Sequence, residues 1–324
     1  MPERVSAVLC TFNGAAFVGP QLASVLAQSR GIDEIVVSDD ASADGCIDRV
    51  RALLKGFVGD VQIQVNAATL GVTRNFERAM RLATGDICFL CDQDDVWRAD
   101  KVQRMVAAFE REPGLVLLHS DARIIVTAGK PTGERLLRAL RVGRRDLASY
   151  DSGQALRVLL RRNIVTGATV AFRRRLLEWA LPVPDDYWHD EWLALIAAAL
   201  GAIKRIPEPL IDYRIHPDNQ AGLRAVTPAA TIGAALSGRG DFHAARTRKL
   251  DVLLERLRSL GSRVPSAQLR TVETCRDHWR VRANLPRRRT ERIGLILAEL
   301  RSGRYRHFSN GWRGALRDLI EPLS

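Results

Sequence analysis

The feature that most constrains this sequence is a run of five apolar residues, positions 87–91, that ends directly in a cluster of carboxylates. A short apolar run between turn signals is typical of a strand that is buried on both faces, as in a parallel sheet. The carboxylates that follow are Asp92, Asp94 and Asp95. Because ligands of open α/β sheets bind outside the carboxyl ends of the strands, these acids stand where a ligand would bind.

The first two acids, Asp92 and Asp94, are separated by one residue, so in an extended backbone both side chains point to the same side. Two oxygen ligands on one side suit Mg²⁺ or Mn²⁺, and such an ion in turn binds phosphate oxygens. The alternative is an acidic turn, because Asp is common in turns and at helix N-caps. The D-x-D pattern alone leaves both interpretations open.

Strand and helix patterns alternate along the residues before this run, which predicts a doubly wound, mostly parallel α/β sheet. Strands are predicted at 5–10, 34–38 and 61–65, helices at 15–28, 47–54 and 76–83, and a loop at 66–75. Polar clusters follow two of these strands as well. The stretch Thr11, Phe12 and Asn13, in which Thr11 and Asn13 are polar, follows the first strand, and Asp39 and Asp40 follow the second. The convergence of three polar clusters at one edge predicts a nucleotide site.

Two common phosphate-binding motifs are absent from the sequence. The first predicted strand turns through Cys10-Thr-Phe-Asn-Gly14, which lacks the G-x-G-x-x-G pattern of dinucleotide-binding proteins. No G-x-x-x-x-G-K-[ST] loop occurs either. A carboxylate-bound divalent cation is then the available way to hold phosphate, which favours the acids as metal and nucleoside ligands.

Positive charge is concentrated at the end of the chain. Residues 227–324 carry 20 Lys and Arg against 9 Asp and Glu, which leaves 29 against 28 for residues 1–226. This split predicts a nearly neutral domain over 1–226 and a basic helical region over 227–324. Basic helices with Trp and Leu on one side suit an anionic membrane surface, and a solvated basic face packed on the domain is the alternative. Nucleic-acid binding is disfavoured, because no recognised module occurs and aromatic residues make up only 6% of the chain.

Other compositional features point to a cytoplasmic protein. The best apolar run, 192–203, is shorter than the roughly 18 residues that a membrane span needs, and the first residues lack a signal-peptide pattern. The five cysteines are odd in number and mostly lie in apolar runs, so we expect reduced core residues. Residues 127–152 are polar and weakly periodic, which predicts a mobile loop.

Five stretches, in their order and spacing, resemble family 2 glycosyltransferases of the GT-A fold. They are Cys10-Thr-Phe-Asn-Gly14, Ile35-Val-Val-Ser-Asp-Asp-Ala-Ser-Ala-Asp-Gly45, Leu70-Gly-Val-Thr-Arg-Asn75, Ala83-Thr-Gly-Asp86 and Leu90-Cys-Asp-Gln-Asp-Asp-Val-Trp97. The resemblance implies a nucleotide-sugar half over residues 1–125 and an acceptor half over 126–226, followed by the basic helical appendage.

A second block is similar to the acceptor half of the same family, and in particular to bacterial rhamnosyltransferase-like members. It consists of Asn163-Ile-Val-Thr-Gly-Ala-Thr-Val-Ala-Phe172, Trp188-His-Asp-Glu-Trp192 and Tyr213-Arg-Ile-His216. The resemblance implies an inverting transfer of a sugar, with rhamnose from dTDP-rhamnose as the preferred donor and a UDP-sugar as the alternative. The implied acceptor is a glycan or a polyprenyl-linked glycan of a cell-surface polysaccharide, at the inner face of the membrane.

The resemblance also implies roles for residues of the nucleotide-sugar half. Thr11, Phe12 and Asn13 would line the nucleoside, and Asp39 or Asp40 would accept a hydrogen bond from the base. The next loop would bring Arg74 and Asn75 to the diphosphate or the sugar.

Further roles concern the metal and the base. Asp94 would be the direct ligand of Mg²⁺ or Mn²⁺, assisted by Asp92, and His216 would reach back to the metal or the diphosphate. Asp95 would cap the following helix or bind the donor sugar. Asp190 matches the position of the catalytic base, although Glu191 departs from the aromatic residue that is usual in this subgroup. The alternatives to an enzyme are an inactive nucleotide-sugar-binding module and a basic nucleic-acid-binding protein.

Overall fold

The computed structural model describes residues 3–217 and 239–320. These residues form two compact units. The first, here called the sheet unit, comprises 3–144, 164–197 and 202–217, and the second, the helical unit, comprises 145–163, 198–201 and 239–320. The predicted domain boundary between residues 226 and 227 lies outside the described residues.

Nine strands of the described residues form one sheet. They are β1 (Val5–Thr11), β2 (Glu34–Asp39), β3 (Asp60–Val65), β4 (Ile87–Asp92), β5 (Val96–Trp97), β6 (Leu117–Val126), β7 (Pro131–Arg135), β8 (Val170–Arg173) and β9 (Ile203–Ile215). Their order is β3-β2-β1-β4-β8-β6-β9-β5, with β7 paired to β6. The pairs β1–β2, β2–β3, β1–β4 and β6–β9 are parallel, whereas β4–β8, β6–β8, β6–β7 and β5–β9 are antiparallel. The longest ladders are parallel, which confirms the predicted fold class.

The helices follow in chain order. They are α1 (Val18–Leu26), α2 (Cys46–Leu54), α3 (Val72–Leu82), α4 (Lys101–Arg111), α5 (Leu136–Ala139), α6 (Arg144–Ser149), α7 (Ala155–Arg161), α8 (Leu177–Ala180), α9 (His189–Ala199), α10 (Arg239–Ser259), α11 (Ser266–Ala283), α12 (Arg289–Arg301), α13 (Arg304–Phe308) and α14 (Trp312–Ile320). Within the described residues, none of these helices is both long and apolar enough to cross a membrane.

The central strands are buried because their sequences are mostly apolar, and buried polar side chains such as Ser6 and Glu34 bond to each other. β1 and β2 are buried along their whole length, and so is β4 up to its last residue. The apolar stripes of α1, α2 and α4 pack into one common core, to which they contribute Val18, Val50 and Phe109, respectively. All five cysteines are free and buried, as the sequence predicts.

The register of the parallel strands brings the polar clusters together. Thr11, the last residue of β1, pairs with Asp39 of β2. On the other side of β1, Cys10 pairs with Asp92 of β4. The carboxyl ends of all three strands therefore lie at the same level of one sheet edge, as expected from their parallel order.

Two sequence-based predictions about local structure are wrong. The loop predicted up to Asn75 ends earlier, because α3 begins at Val72, after Gly71 with a φ of 84°. The segment 127–152 is not a mobile loop, since it contains β7, α5 and α6. Leu136 and Leu137 are buried there, and the Leu137 N–H donates to Asp121 Oδ1 at 3.1 Å, so tertiary contacts order the segment.

Candidate active site

Asp39 joins the end of β2 to its neighbours at the sheet edge. Its Oδ1 accepts hydrogen bonds from Thr11 Oγ1 and Ser42 Oγ, both at 2.6 Å, and its Oδ2 accepts from the Ser42 N–H at 2.8 Å. The side chain is fully buried. Since a carboxylate offers about four acceptor positions, most of its capacity is used within the chain.

The neighbouring Asp40 holds the loop that precedes α3. Its Oδ1 accepts from Asn66 Nδ2 at 2.8 Å and from the Leu70 N–H at 2.7 Å, and its Oδ2 accepts from the Gly71 N–H at 2.9 Å. Backbone N–H groups near a helix start have no partner within the helix, so this carboxylate stabilises the start of α3. Asp40 thus shapes the loop that is predicted to lie near the donor.

Arg74 and Asn75 both lie in the first turn and a half of α3, and both contact protein groups. Asn75 is buried, accepts from Ser38 Oγ at 2.6 Å and donates to the Ser38 carbonyl at 2.9 Å. Arg74 donates to Glu77 Oε2 at 2.7 Å and to the Val183 carbonyl at 2.8 Å. These contacts fix α3 against β2 and the 183 region, and a role at the diphosphate stays a prediction.

Gln93, between the two acids of the D-x-D pattern, was not recognised from the sequence. Its Oε1 accepts from the Phe12 N–H at 2.8 Å and its Nε2 donates to the Phe12 carbonyl at 3.0 Å. Gly14 leaves the space for this side chain, because a Cβ at that position would lie 2.0 Å from Gln93 Oε1. On the same turn, Asn13 Oδ1 accepts from the Ala43 N–H at 3.0 Å. The turn that is predicted to line the nucleoside is thus hydrogen-bonded to Gln93 of the acidic segment and to Ala43.

The structure brings Asp94 and His216 into contact across 122 residues of sequence. His216 Nε2 lies 2.8 Å from Asp94 Oδ2, directly after the end of β9. Arg214 holds the acidic turn in place, since its Nε donates to the Asp94 carbonyl at 2.7 Å and its N–H donates to Asp95 Oδ1 at 3.0 Å. Asp95 therefore bonds to β9 and does not cap α4, whose N-cap is Asp100.

Negative charge is concentrated around this turn. Burial, followed by the charges of Asp94 and Asp190, raises the pKa of Asp92 to about 7. Burial and the charges of Asp94 and Asp92 raise the pKa of Asp95 well above its usual range. Asp95 Oδ2 is buried and has no hydrogen-bond partner among the described residues. Such a group of carboxylates favours the binding of a cation.

A buried cation, Lys101, already lies near these acids and was also missed in the sequence. Its Nζ donates to the Ala168 carbonyl at 2.8 Å and lies 4.0 Å from the centre of the Trp97 ring. The side chain is fully buried, and burial lowers the pKa of Lys101 to about 7, against the opposing effect of Cys91, Asp95 and Asp92. The sequence signal that could have indicated its burial is its position four residues before Met105, on the buried stripe of α4.

Asp190, the predicted base, stands in the first turn of α9. It accepts from the Gly167 N–H at 2.9 Å through Oδ2 and from the Glu191 N–H at 2.7 Å through Oδ1. Burial raises the pKa of Asp190 to about 6, and the charge of Asp190 contributes to the raised pKa of Asp92. A carboxylate with this pKa is ionised at neutral pH and accepts a proton more readily than an ordinary one.

His189 supports this helix start by packing against α3. Its ring stacks on Phe76, with centroids 4.1 Å apart. It is buried, and neither ring nitrogen has a hydrogen-bond partner among the described residues. Burial lowers the pKa of His189 to about 3, so the imidazole is neutral at physiological pH. The geometry indicates a packing role for His189.

The residues present fit a divalent cation that also binds substrate. Among the described residues, no group of three or more His, Cys, Asp or Glu is arranged to hold a metal by itself. The adjacent Asp94 oxygen and His216 nitrogen are nevertheless suitable ligands for Mn²⁺ or Mg²⁺. Mg²⁺ is commonly held by one or two carboxylates plus substrate phosphates and water, so two protein ligands are sufficient for this kind of site.

Curated relatives share part of the sequence with this chain. An uncharacterised glycosyltransferase from Nostoc is 28% identical over 221 residues, which cover 67% of this chain and 66% of the relative. A dTDP-rhamnosyl transferase, RfbG, from Shigella flexneri is 23% identical over 224 residues, or 66% of this chain and 73% of the relative. The match with the Nostoc protein thus spans slightly less than two thirds of that protein's length.

Solved structures share the fold at low sequence identity. Residues 1–349 of TarS from S. aureus, in complex with UDP-GlcNAc, match with a TM-score of 0.58 at 16% identity, covering 99% of this chain and 82% of that one. The mannosyltransferase PcManGT from Pyrobaculum calidifontis, in complex with GDP-Man and Mn²⁺, matches with a TM-score of 0.50 at 19% identity, covering 94% and 76%. These likenesses support the GT-A architecture.

A sequence profile identifies the family of this chain. The profile of glycosyl transferase family 2 matches residues 6–179, which is more than half of the chain. The match includes the strand ends, the acidic turn and the Gly167 segment that bonds to Asp190. The chain belongs to glycosyl transferase family 2.

Proposed function

We propose that this protein is an inverting, metal-dependent glycosyltransferase that moves a sugar from a nucleotide donor to a hydroxyl group of a glycan. The observation that supports the proposal is that the sheet unit contains two sites with different chemical roles. One is the Asp94–His216 contact, which suits a cation and the diphosphate, and the other is Asp190, whose raised pKa of about 6 suits a base. A single-displacement transfer requires both.

The donor would bind at the carboxyl edge of β1, β2 and β4. The turn containing Thr11, Phe12 and Asn13 would line the nucleoside, with Asp39 or Asp40 accepting a hydrogen bond from the base. Asp94 and His216, with Asp92 nearby, would hold Mg²⁺ or Mn²⁺. When bound, the ion supplies charge stabilisation for the departing diphosphate without a proton transfer.

In the transfer step, the acceptor oxygen forms a bond to the anomeric carbon while the bond from that carbon to the diphosphate oxygen breaks. Asp190 takes the proton of the acceptor hydroxyl, and the electron pair of the broken bond leaves with the nucleoside diphosphate. Attack from the side opposite the leaving group inverts the anomeric configuration. The Gly167 and Glu191 N–H groups fix the Asp190 carboxylate for this proton transfer.

The donor and acceptor are proposed more specifically from the relatives. The similarity to a dTDP-rhamnosyl transferase supports dTDP-rhamnose as the donor, with a UDP-sugar as the alternative. The acceptor would be a glycan, or a polyprenyl-linked glycan of a cell-surface polysaccharide. We further propose that the protein works in the cytoplasm and associates peripherally with the membrane, because residues 227–324 hold most of the excess positive charge.

Two measurements test the proposal together. The first is thermal stabilisation by TDP-, UDP- and GDP-sugars with and without Mn²⁺, and the second is donor hydrolysis or transfer. Asp190→Asn should keep the metal-dependent stabilisation but lose turnover, whereas Asp94→Asn should lose both. If no donor stabilises the folded protein and none is turned over, the proposed function is wrong. Stabilisation by GDP-sugars alone would overturn the proposed donor and leave the reaction class in place.

A further inference from the structure

Helix α12 leaves an apolar stripe partly exposed. Its buried residues are Arg292, Ile296 and Glu299, whereas Ile293, Leu297 and Leu300 are 46%, 42% and 36% exposed. These three apolar residues follow the i, i+4, i+7 spacing that places side chains on one stripe of a helix. An amphipathic helix in a monomeric protein usually points such a stripe at the core.

Partners inside the helical unit fix this orientation. Arg292 Nη1 donates to the Asp318 carbonyl at 2.9 Å, and its Nε donates to the Pro286 carbonyl at 2.6 Å. Glu299 lies 2.6 Å from His278 Nδ1 and accepts from Arg304 at 2.9 Å. Turning α12 over would leave these buried groups without partners, which is costly in a protein interior. The exposed stripe is therefore a fixed feature of the fold.

The neighbouring helix α14 has the same character. It buries Gly314, Ala315 and Asp318, and it exposes Trp312 and Leu316 by 65% and 45%, along with Ile320. Asp318 is held by Arg282 at 2.7 Å and by Tyr305 at 2.6 Å. Ile296 of α12 and Ala315 of α14 belong to one small core, so the two helices are packed together with an apolar stripe exposed on each.

The exposed charge around these stripes is almost entirely positive. Within residues 285–320, seven arginines are exposed but only one acidic residue, Glu291, is. The exposed arginines are Arg287, Arg288, Arg289, Arg301, Arg306, Arg313 and Arg317. On α14, Arg313 and Arg317 follow Trp312 and Leu316 directly, so they lie beside the apolar stripe on the outward side of the helix.

We propose that the exposed faces of α12 and α14 form a docking surface for an anionic lipid bilayer, here called the lipid face. Trp312, Leu316 and Ile320 would enter the interface between headgroups and acyl chains, while Arg313 and Arg317 contact lipid phosphates. Apolar residues with an interfacial Trp and flanking arginines are the features of helices that lie in a membrane surface. A second copy of this chain fits less well, because its arginines would face those of the first copy.

This inference rests on the membrane association proposed above and assigns it to particular residues. It places the contact on α12 and α14. It is independent of the sugar chemistry, since the lipid face contains none of the residues that we assign to donor, metal or base.

The test is co-flotation of the full chain with lipid vesicles. Vesicles of phosphatidylcholine mixed with phosphatidylglycerol are compared with pure phosphatidylcholine, and donor hydrolysis is measured on the same samples. Trp312→Ser/Leu316→Ser removes apolar area, and Arg313→Glu/Arg317→Glu reverses charge. The matched control for the latter is Arg263→Glu/Arg270→Glu, which makes the same change in net charge at exposed arginines elsewhere in the helical unit.

We expect the wild type and the control to float with the anionic vesicles only, and both test variants to bind at least about tenfold more weakly. Donor hydrolysis should be unchanged in all four proteins, so failure of the lipid face is distinguishable from failure of the enzyme assignment. The proposal is overturned if the wild type does not float, or if the test variants float as well as the control does. It is also overturned if lipid-free wild type is a dimer that Trp312→Ser/Leu316→Ser converts to monomer, because a second copy would then cover this face.

Discussion

Replacing Asp92 with asparagine should stabilise the metal-free protein although it removes one acid of the D-x-D pattern. Asp92 ends β4 among the charges of Asp94 and Asp190, and burial together with these charges raises its pKa from 3.8 to about 7. A folded-state pKa above the unfolded one means that ionising the group disfavours the folded state. Asparagine has nearly the same shape and carries no charge, so it removes this penalty.

The magnitude follows from the pKa shift. One pKa unit corresponds to about 1.4 kcal/mol, so the full shift gives an upper limit of about 4 kcal/mol at pH values above 7. Because Asp94, Asp190 and Lys101 share this interaction, we expect a smaller gain of about 1–2 kcal/mol, or roughly 2–4 °C in Tm for a chain of this size. The gain should be present in full above pH ~7 and should disappear as the pH falls towards ~4, where the unfolded chain is also protonated.

Thermal and urea unfolding in the presence of a chelator, at pH 8 and pH 5, measure this effect. Asp186→Asn, at an exposed acidic residue, is the control and should change the Tm very little. Adding Mn²⁺ should then raise the Tm of the wild type more than that of Asp92→Asn, because the ion relieves the same repulsion. The reasoning is refuted if Asp92→Asn lowers the free energy of unfolding at pH 8, or if its gain is equal at both pH values.

Three further predictions concern the base, the buried lysine and the D-x-D turn. Asp190→Asn should reduce kcat by about 10²–10⁴-fold. Wild-type activity should fall as the pH drops through about 6, where Asp190 becomes protonated, and pH–rate profiles of the two proteins measure both effects. Lys101→Met removes a charge that lowers the pKa of the nearby acids, so the affinity for Mn²⁺ should be weaker at pH 7 and return to the wild-type value at pH 9. Calorimetry measures this affinity, and Lys55→Met, at an exposed lysine, is the control that should show neither change. Gly14→Ala should destabilise the protein by about 1–3 kcal/mol, because its Cβ would overlap Gln93, and thermal unfolding in a Gln93→Ala background should show a smaller loss.

The sequence was sufficient to predict β1, β2, β3 and β4, because their apolar residues form short runs or alternate with polar ones and their crossovers are short. It was not sufficient for the start of α3. The residues 66–75 look like a loop, but the Asp40 carboxylate, about 30 positions earlier, binds the Leu70 and Gly71 N–H groups and allows the helix to begin at Val72. A contact between residues so far apart in sequence has no local signature.

The site also combines features that the sequence could predict with features that it could not. The acids Asp92 and Asp94 could be found from their position after a buried strand, whereas the contact between Asp94 and His216 depends on how β9 pairs with β6 and β5. The burial of Lys101 is even harder to predict from the sequence, because a lysine at the start of a helix is normally solvated. Only the tertiary structure shows that its ammonium group lies over the Trp97 ring and bonds to the Ala168 carbonyl.

Helix α12 shows why periodicity alone cannot assign an interface. Arg292, Ile296 and Glu299 follow the i, i+4, i+7 spacing, and so do Ile293, Leu297 and Leu300, so the sequence permits either stripe to face the core. The choice is made by groups distant in sequence, the Asp318 carbonyl and His278, which bind Arg292 and Glu299. With those charges bound inside, the apolar stripe, which is offset by one residue or about 100° around the helix, stays partly exposed. This partly exposed stripe beside arginines is the basis for proposing that the helical unit binds a lipid surface.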